Sequence, residues 1–383
     1  MSTVHWLGAG LSSLPGIRKV ALSGQKLVLW NRTLEKAQQA VSSLKIDIPV
    51  KQLDWSSLEQ EIQAGDVVIS MLPATMHVQV AEICLGHKAH FVSSSYVSPE
   101  MQALDEKAKA ADLSFVNEVG LDPGLDHLLA HALVAKYEES ESFDKNNQHY
   151  FRSYCGGFPK VANEFKYKFS WSPLGVLKAL KSPAQWIDEG EIKRTEKPWL
   201  ALSHYDVTLA DGSKETFQAY PNRDSVPFQA QYGFANDWNV QEFVRGTLRL
   251  NGWAQAWENL FTEVDTLTGD AGMKRLQAIS DELWAKHQYD EGESDRVVLS
   301  VELEVKDSSG EKTVFNGSFG VDEAGNENGS AMARLVSLTV AIAIESLIAG
   351  DLVKGVSPAP HDEKTVTKWL DALAELNEHI FSH

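Results

Sequence analysis

Two glycines near the start of the chain have a spacing that could serve chemistry. Gly8 and Gly10 follow a short apolar run at residues 4–7. Small residues let a backbone bend sharply after a strand and approach a pyrophosphate, which then rests on the N-terminus of the next helix. The third glycine of the usual dinucleotide fingerprint is replaced by Ser13 or displaced to Gly16. Because glycine turns are common, this spacing alone is weak evidence.

A second signal lies about 20 residues further on, where a dinucleotide-binding fold contacts the ribose. The residues there are Asn31, Arg32 and Thr33. An acidic residue at this place would bind the ribose hydroxyls of NAD, whereas an arginine with two hydrogen-bonding neighbours suits a 2′-phosphate. The alternative is that Arg32 is a solvated surface charge. The segment favours NADP over NAD.

Short apolar runs alternate with helix-forming stretches over the first 120 residues. The predicted strands cover residues 4–7, 26–30, 66–72, 90–93 and 114–116, and the helical stretches cover residues 33–44, 77–86 and 98–111. This alternation predicts parallel βαβ units, and therefore an α/β fold with a Rossmann-like doubly wound parallel sheet over residues 1–120. Ligands of such folds bind at the carboxyl edge of the sheet, where Ser70 ends one predicted strand and Ser95 follows another.

The second half of the chain has a different pattern. Asp211-Gly212 and Ser308-Ser309-Gly310 are hairpin signals between apolar runs. We therefore expect a second, α+β substrate domain over residues 121–330, with a mixed or antiparallel sheet and a short helical segment at about 253–287. The helices of residues 331–383 are expected to pack back on the first domain. The cleft between two such domains is the default position of an active site.

Composition and charge limit the partners. The 383 residues, 43% hydrophobic and 23% charged, are typical of a globular protein of two or three domains. A formal net charge of −18 disfavours nucleic acid and anionic membranes as partners. No apolar run reaches the roughly 20 residues that a bilayer requires, and no secretory signal is evident. With only Cys84 and Cys155 present, we expect no disulfide framework and a cytoplasmic location.

One segment is unusual enough to indicate a family. Residues 117–127 read Asn-Glu-Val-Gly-Leu-Asp-Pro-Gly-Leu-Asp-His, and Ser-Ser-Tyr-Val-Ser-Pro precedes them at 94–99. Ser-Tyr-Cys-Gly-Gly-Phe-Pro follows at 153–159, Tyr-Pro-Asn-Arg-Asp-Ser at 220–225 and Val-Arg-Gly-Thr-Leu-Arg at 244–249. In this order the blocks resemble the saccharopine dehydrogenases that release glutamate, the saccharopine reductase family. The resemblance covers nearly the whole chain.

The resemblance implies an enzyme, a saccharopine dehydrogenase (NADP, L-glutamate-forming). Such an enzyme interconverts saccharopine with glutamate and 2-aminoadipate 6-semialdehyde by hydride transfer to or from an imine, with NADP(H) as cofactor. For proton transfer we expect Asp122, with Tyr96 and Cys155 as supporting catalytic candidates. A carboxyl group packed beside a proline–glycine turn is partly desolvated, which raises its pKa towards a useful range. The alternative for Cys155 is a buried apolar residue.

The three carboxylates of saccharopine require local positive charge in an acidic protein. Arg223, Arg245 and Arg249 could supply it, because an arginine fork binds a carboxylate with two hydrogen bonds. The expected substrate contacts are Ser95, Tyr96, Asp122, Gly124, Cys155, Gly156, Arg223, Arg245 and Thr247. The expected cofactor contacts are Gly8, Gly10, Leu11, Ser12, Asn31, Arg32, Thr33, Ser70, Leu72, Pro73 and Val119. The backbone amides around Gly156 are a further candidate for carboxylate binding.

Two other functions stay open at this point. A related imine reductase, of the carboxynorspermidine type, would act on a diamine adduct and would need carboxylates where glutamate needs cations. A regulator that senses the NADPH/NADP ratio without turnover is the non-enzymatic alternative. No metal is expected, since His127 and His131 lack a third ligand at a recognisable spacing. The expected partner is a small-molecule substrate, and a homodimer is left open.

Overall fold

A computed structural model describes residues 2–383, which form two compact units. The first unit comprises the chain up to Leu128 together with Glu327–Asn377, and the second comprises Leu129–Asn326 together with Glu378–His383. The strands are β1 (Thr3–Leu7), β2 (Lys26–Asn31), β3 (Val50–Gln52), β4 (Val67–Ser70), β5 (His90–Ser93), β6 (Ser114–Val116), β7 (Gln148–Pro159), β8 (Ala184–Asp188), β9 (Glu191–Thr195), β10 (Ser203–Thr208), β11 (Lys214–Pro221), β12 (Asn239–Arg249), β13 (Asp295–Lys306), β14 (Thr313–Ala324), β15 (Gly355–Ser357) and β16 (Ile380–Ser382). The helices are α1 (Leu14–Leu22), α2 (Leu34–Leu44), α3 (Trp55–Glu61), α4 (His77–His87), α5 (Pro99–Gln102), α6 (Asp105–Ala110), α7 (Leu125–Glu138), α8 (Pro173–Leu180), α9 (Phe228–Gln231), α10 (Trp253–Ala256), α11 (Glu258–Thr266), α12 (Gly269–His287), α13 (Ala331–Ala349) and α14 (Glu363–Glu375).

The first unit is built on a parallel sheet in the order β15-β6-β5-β4-β1-β2-β3. Its central strands β1 and β4 are buried along their whole length, as expected where helices cover both faces of a parallel sheet. The predicted Rossmann-like fold is confirmed. The strand order reverses between β1 and β4, and ligands bind at such a switch point.

Helix α13 packs against α1 through a close approach that Gly16 permits. The Gly16 amide donates to Ser337 Oγ at 2.8 Å. A Cβ built on Gly16 would lie 2.4 Å from the carbonyl oxygen of Ser337 and 2.7 Å from the Trp6 ring. Gly16 therefore has the helix-packing role of the third glycine in the dinucleotide fingerprint.

We expect Gly16→Ala to lower the free energy of unfolding by about 1–3 kcal/mol, because the added methyl group overpacks this contact. The measurement is the urea midpoint, followed by tryptophan fluorescence. Gly86→Ala is the matched control, since Gly86 lies at an exposed position in the last turn of α4 and a Cβ there meets nothing within 4 Å. Equal midpoints for the two variants would contradict the packing role.

Helix α13 begins at a serine cap and is largely buried, as its apolar sequence predicts. Ser330 Oγ accepts from the Ala333 amide at 3.1 Å. The helix is long and apolar enough to cross a membrane, but 78% of its apolar 18-residue stretch is buried inside the protein. Buried core helices have the same length and composition, so α13 is weak evidence for a membrane span.

The second unit contains a mixed sheet in the order β10-β11-β12-β7-β13-β14-β16, with β8 and β9 attached at β12. Strands β12 and β7 are parallel, and the remaining neighbours are antiparallel. One aromatic-rich core lies among α8, α10, α11 and α12, and it includes Tyr167, Tyr220 and Trp253. The predicted mixed sheet is confirmed.

The end of the chain differs from the sequence prediction. The helices of residues 331–383 were expected to pack back on the first domain, but α14 ends at Glu375 and Asn377 has φ +62°, which a helix cannot accommodate. The residues after it form β16, which pairs with β14. Residues 378–383 therefore belong to the second unit, whereas α13 and α14 belong to the first.

Candidate functional site

The glycine turn stands at the carboxyl end of β1, beside the end of β4. Gly8 has φ +103°, and a Cβ built on it would lie 2.9 Å from the carbonyl oxygen of Met71. Gly10 faces open space, with nothing within 4 Å of the position of a Cβ. Within residues 2–383, the amides of Gly10, Leu11 and Ser12 donate no hydrogen bond to another protein group. Free amides just before α1 fit the pyrophosphate of a dinucleotide.

The end of β2 contributes the predicted ribose contacts. Asn31 Oδ1 accepts from the Ala9 amide at 3.2 Å, and its Nδ2 donates to the Thr33 carbonyl at 2.8 Å. The Asn31 side chain thus braces the glycine turn. Arg32 is exposed and has no carboxylate partner among residues 2–383, and Thr33 precedes α2 without capping it through its side chain. Both side chains fit a 2′-phosphate.

The carboxyl ends of β4 and β5 are joined by a histidine that the sequence analysis did not select. Ser70 Oγ lies 2.8 Å from His77 Nδ1, and His77 Nε2 lies 2.8 Å from Ser95 Oγ. Burial lowers the pKa of His77 to about 4, so the imidazole is neutral near neutral pH. The hydroxyl of Ser70, an expected cofactor contact, bonds His77, and its contact with the cofactor stays a prediction. Leu72 lies beside Gly8 and Pro73 is exposed.

The segment after β6 brings the predicted acid and tyrosine together. Tyr96 Oη donates to Asp122 Oδ1 at 3.0 Å, and both side chains are half-buried. The Asp122–Pro123 peptide bond is cis. Asp126 Oδ1 accepts from the Gly124 amide at 2.7 Å. A carboxylate that accepts from a phenol at a partly accessible position is suited to exchange protons with a ligand.

Two further predicted residues in this segment have mainly packing roles. A Cβ built on Gly124 would lie 2.2 Å from the carbonyl oxygen of Gly120, so only glycine fits there. The Val119 side chain is fully buried, which leaves its backbone as the part that can contact a cofactor. Around them, Glu118 accepts from the Val97 amide at 2.9 Å and its other oxygen lies 2.9 Å from His127 Nε2.

In the second unit, adjacent strands carry the other predicted residues. Thr247 on β12 is the register partner of Cys155 on β7, and Arg245 is the partner of Ser153. Because alternate residues of a strand share one face, Cys155, Thr247 and Arg245 lie together. The guanidinium of Arg245 is buried, with its carbon 4.0 Å from the centre of the Phe228 ring.

Arg223 lies in the loop after β11, close in the chain to residues that pair with β12. The amide of the preceding residue, Asn222, donates to the Arg245 carbonyl at 2.8 Å. Arg223 is exposed and has φ +57°. The loop therefore presents a second guanidinium next to the strand that carries Arg245 and Thr247.

Gly156 does not share this face. A Cβ built on it would lie 2.5 Å from the carbonyl oxygen of Leu248, on the side of the sheet opposite to Cys155. Strand β7 is paired with β13 along its whole length and with β12 from Gln148 to Cys155. Close packing therefore explains the glycine, and carboxylate binding by the amides around Gly156 stays a prediction.

Arg249 adds a cation on the same face, two residues beyond Thr247. Its guanidinium carbon lies 5.0 Å from the ring centre of Tyr167, 5.5 Å from that of Tyr220 and 5.4 Å from that of Trp253. It is buried, and it forms no ion pair with a carboxylate of residues 2–383. The rings stabilise the charge through cation–π contacts. Arg249 was a candidate cation in the sequence analysis, together with Arg223 and Arg245.

The fold and these residues define a class of protein. A doubly wound parallel sheet carries a glycine turn with free amides at its switch point and an arginine at the ribose position, as in dinucleotide-dependent oxidoreductases. No group of three or more His, Cys, Asp or Glu side chains in the described chain is arranged to hold a metal ion.

Comparison with known proteins gives the family. Residues 4–116 match the saccharopine dehydrogenase NADP binding domain, and residues 120–378 match the saccharopine dehydrogenase C-terminal domain. The chain belongs to the saccharopine dehydrogenase family, and it is an NADP-dependent oxidoreductase. The NADP cofactor that Arg32 indicated is confirmed, because the matching family model describes an NADP binding domain.

Individual relatives are similar over nearly their whole length. A saccharopine dehydrogenase (NADP+, L-glutamate-forming) of Pyricularia oryzae is 30% identical, with 94% of each chain covered. One of Schizosaccharomyces pombe is 27% identical over 98% of this chain and 97% of that one. The apo structure of saccharopine dehydrogenase (L-Glu forming) from Saccharomyces cerevisiae has 25% identity and a TM-score of 0.80, and covers 100% of this chain and 99% of that one.

Proposed function

We propose that this protein interconverts L-saccharopine with L-glutamate and 2-aminoadipate 6-semialdehyde. The observation that carries the proposal is the similarity to the L-glutamate-forming enzyme of Pyricularia oryzae over 94% of both chains. In the oxidative direction the C–H beside the secondary amine of saccharopine gives up a hydride, and water then splits the imine into aldehyde and amine. When bound, NADP(H) supplies the hydride chemistry.

The proton transfers are assigned to Asp122 and its hydrogen-bonded partner. Oxidation of a protonated secondary amine first requires loss of a proton, and hydrolysis of the imine requires proton transfer from water and to the leaving amine. Asp122 is half-buried and has Tyr96 Oη at 3.0 Å, which holds the carboxylate in one orientation. Cys155, beside Thr247 on the second sheet, is assigned a supporting role in substrate binding.

The substrate carboxylates are assigned to the arginines of the second unit. Arg245 offers a buried guanidinium, and the loop after β11 adds Arg223. Such forks bind carboxylates with charge-assisted hydrogen bonds, roughly twice as strong as neutral ones. This distribution of cations supports a substrate with several carboxylates and not the diamine adduct of a carboxynorspermidine-type reaction.

The direct test is to incubate the purified chain with saccharopine and NADP+, follow the absorbance of NADPH, and identify glutamate among the products. NADPH formation with glutamate supports the proposal. Binding of NADPH without turnover of saccharopine would contradict it and would favour a regulator of the NADPH/NADP ratio. Turnover of a diamine adduct in place of saccharopine would favour the second enzymatic reaction.

Arg223→Ala is expected to raise the KM for saccharopine by about tenfold or more while kcat changes little, because a charge-assisted contact to a carboxylate contributes about 1.5–3 kcal/mol. Arg223→Lys should recover only part of the loss, since an ammonium cannot form the fork. Arg194→Ala is the matched control, because Arg194 lies on β9 with its side chain 62% exposed. An unaltered KM in Arg223→Ala would remove this residue from the substrate site.

A further inference from the structure

A chain of three side chains connects the carboxyl ends of neighbouring strands in the first unit. Ser70 ends β4, His77 begins α4 and Ser95 follows β5. The imidazole bridges the two hydroxyls, with both nitrogen–oxygen distances at 2.8 Å. Ser70 is fully buried and His77 is 5% exposed, whereas Ser95 is half-buried. The Ser70 end of this hydrogen-bonded series is therefore buried in the core, and the Ser95 end reaches the edge of the sheet where ligands bind.

The buried end determines the direction of the hydrogen bonds. A neutral imidazole has one N–H donor and one acceptor nitrogen, so it must donate to one serine and accept from the other. Within residues 2–383, the hydroxyl of Ser70 has His77 Nδ1 as its only hydrogen-bond partner. If Nδ1 carried the proton, the buried hydroxyl hydrogen of Ser70 would have no acceptor, which costs about 1–3 kcal/mol. Ser70 therefore donates to Nδ1, and the ring proton is on Nε2.

The surroundings keep the ring neutral. Phe91 contacts the His77 ring edge-on, with 6.2 Å between the ring centres, and burial is the sole cause of the lowered pKa, with no charged group contributing. Because Nε2–H donates to Ser95 Oγ, the hydroxyl hydrogen of Ser95 is directed away from the histidine. The Ser95 backbone is also held, since its amide donates to Ser93 Oγ at 3.4 Å and its carbonyl accepts from the Glu118 amide at 3.0 Å.

We propose that His77 is a positioning residue that presents the Ser95 hydroxyl as a hydrogen-bond donor to a carboxylate oxygen of the substrate. The inference rests on the proposed function for the identity of that carboxylate. The arrangement also favours anionic substrate groups. A hydroxyl fixed as a donor can bond a carboxylate oxygen, whereas an ammonium group offers no acceptor for the hydroxyl hydrogen. Ser95 is followed by Tyr96, whose hydroxyl bonds Asp122, so the same turn would orient both the substrate and the acid.

The first test examines the tautomer and needs no substrate. In the full chain labelled with 15N-histidine, two-dimensional correlation spectra distinguish the protonated ring nitrogen, and His77→Gln identifies the signals of His77. We expect the Nε2–H form, with no titration between about pH 5.5 and pH 9, since burial lowers the pKa of His77 to about 4. The Nδ1–H form, or a doubly protonated ring at pH 7, would overturn the proposal.

The second test measures kinetics. His77→Leu is expected to raise the KM for saccharopine about tenfold, which corresponds to the net value of one hydrogen bond, while the KM for NADP+ stays within about twofold. His77→Gln keeps an N–H donor near the Nε2 position and should recover most of this loss. In a Ser95→Ala background the effect of His77→Leu should disappear, because the two residues act in series.

These outcomes separate the inference from the proposed function. Additive effects of His77→Leu and Ser95→Ala, or an equal rise of both KM values, would indicate a general structural role and overturn the proposal. If His77→Leu does not fold, the KM of Ser95→Ala for saccharopine and the spectra of the unaltered chain still test the proposal. If saccharopine is not a substrate, the proposed function fails, while the tautomer of His77 is still measured.

Discussion

Arg32→Asp is expected to abolish the preference for NADP over NAD. The guanidinium of Arg32 is exposed at the end of β2 and has no carboxylate partner in the described chain, so it is free to bind the 2′-phosphate. Its loss removes a charge-assisted contact of about 1.5–3 kcal/mol, and the new carboxylate repels the phosphate while accepting from the ribose hydroxyls of NAD. The ratio of kcat/KM for NADP+ to that for NAD+ should fall about a hundredfold or more.

The control for this prediction is Lys107→Asp, which makes the same change of charge on the exposed surface of α6. Helix α6 adjoins β6 and β15, at the opposite end of the sheet from β2. The control should keep the cofactor ratio of the unaltered protein. Unchanged cofactor selectivity in Arg32→Asp would show that another residue binds the phosphate.

Asp122→Asn is expected to lower kcat for saccharopine by about two to three orders of magnitude. The amide keeps the shape of the side chain and can still accept from Tyr96 Oη, but it cannot take up a proton, and general acid–base catalysis typically contributes 10²–10⁴-fold. The KM should change much less than kcat, since the lost interaction acts on the reaction and not on binding. Steady-state rates with saccharopine and NADP+ give both constants.

Tyr96→Phe provides the graded comparison, because it removes the hydroxyl that bonds Asp122 and leaves the carboxyl group in place, and it should lower kcat by about tenfold or less. Asp112→Asn is the isosteric control at an exposed position with φ +57°, a conformation that asparagine tolerates. A kcat for Asp122→Asn equal to that of the control would assign the proton transfers to a different group.

Much of the fold could be predicted because its strands are continuous apolar runs separated by helical stretches. The predicted runs at residues 90–93 and 114–116 coincide with β5 and β6. Strand β3 was missed because its sequence, Val-Lys-Gln, is mostly polar, and β15 was missed because its neighbour in the sheet, β6, lies far away in the chain. The end of α14 was missed because the apolar spacing continues through Leu376, just before the positive φ of Asn377.

The candidate site could be predicted where one segment carries the signal. The glycine turn, Arg32 and the pair of Tyr96 with Asp122 stand where the motifs indicated. His77 could not be found in this way, because its partners Ser70 and Ser95 come together only through the adjacency of β4 and β5. A lone histidine early in a helix has no motif of its own.

Strand β15 has a consequence for the order in which the protein is made. It completes the edge of the first sheet beside β6, and α13 covers α1, yet both come from the region after Glu327. A ribosome therefore releases residues 129–326 of the second unit before the first unit can close, although most of the first unit precedes them in the chain. An isolated fragment ending near residue 120 would expose the edge of β6 and an uncovered helix surface, and we expect it to aggregate when expressed alone.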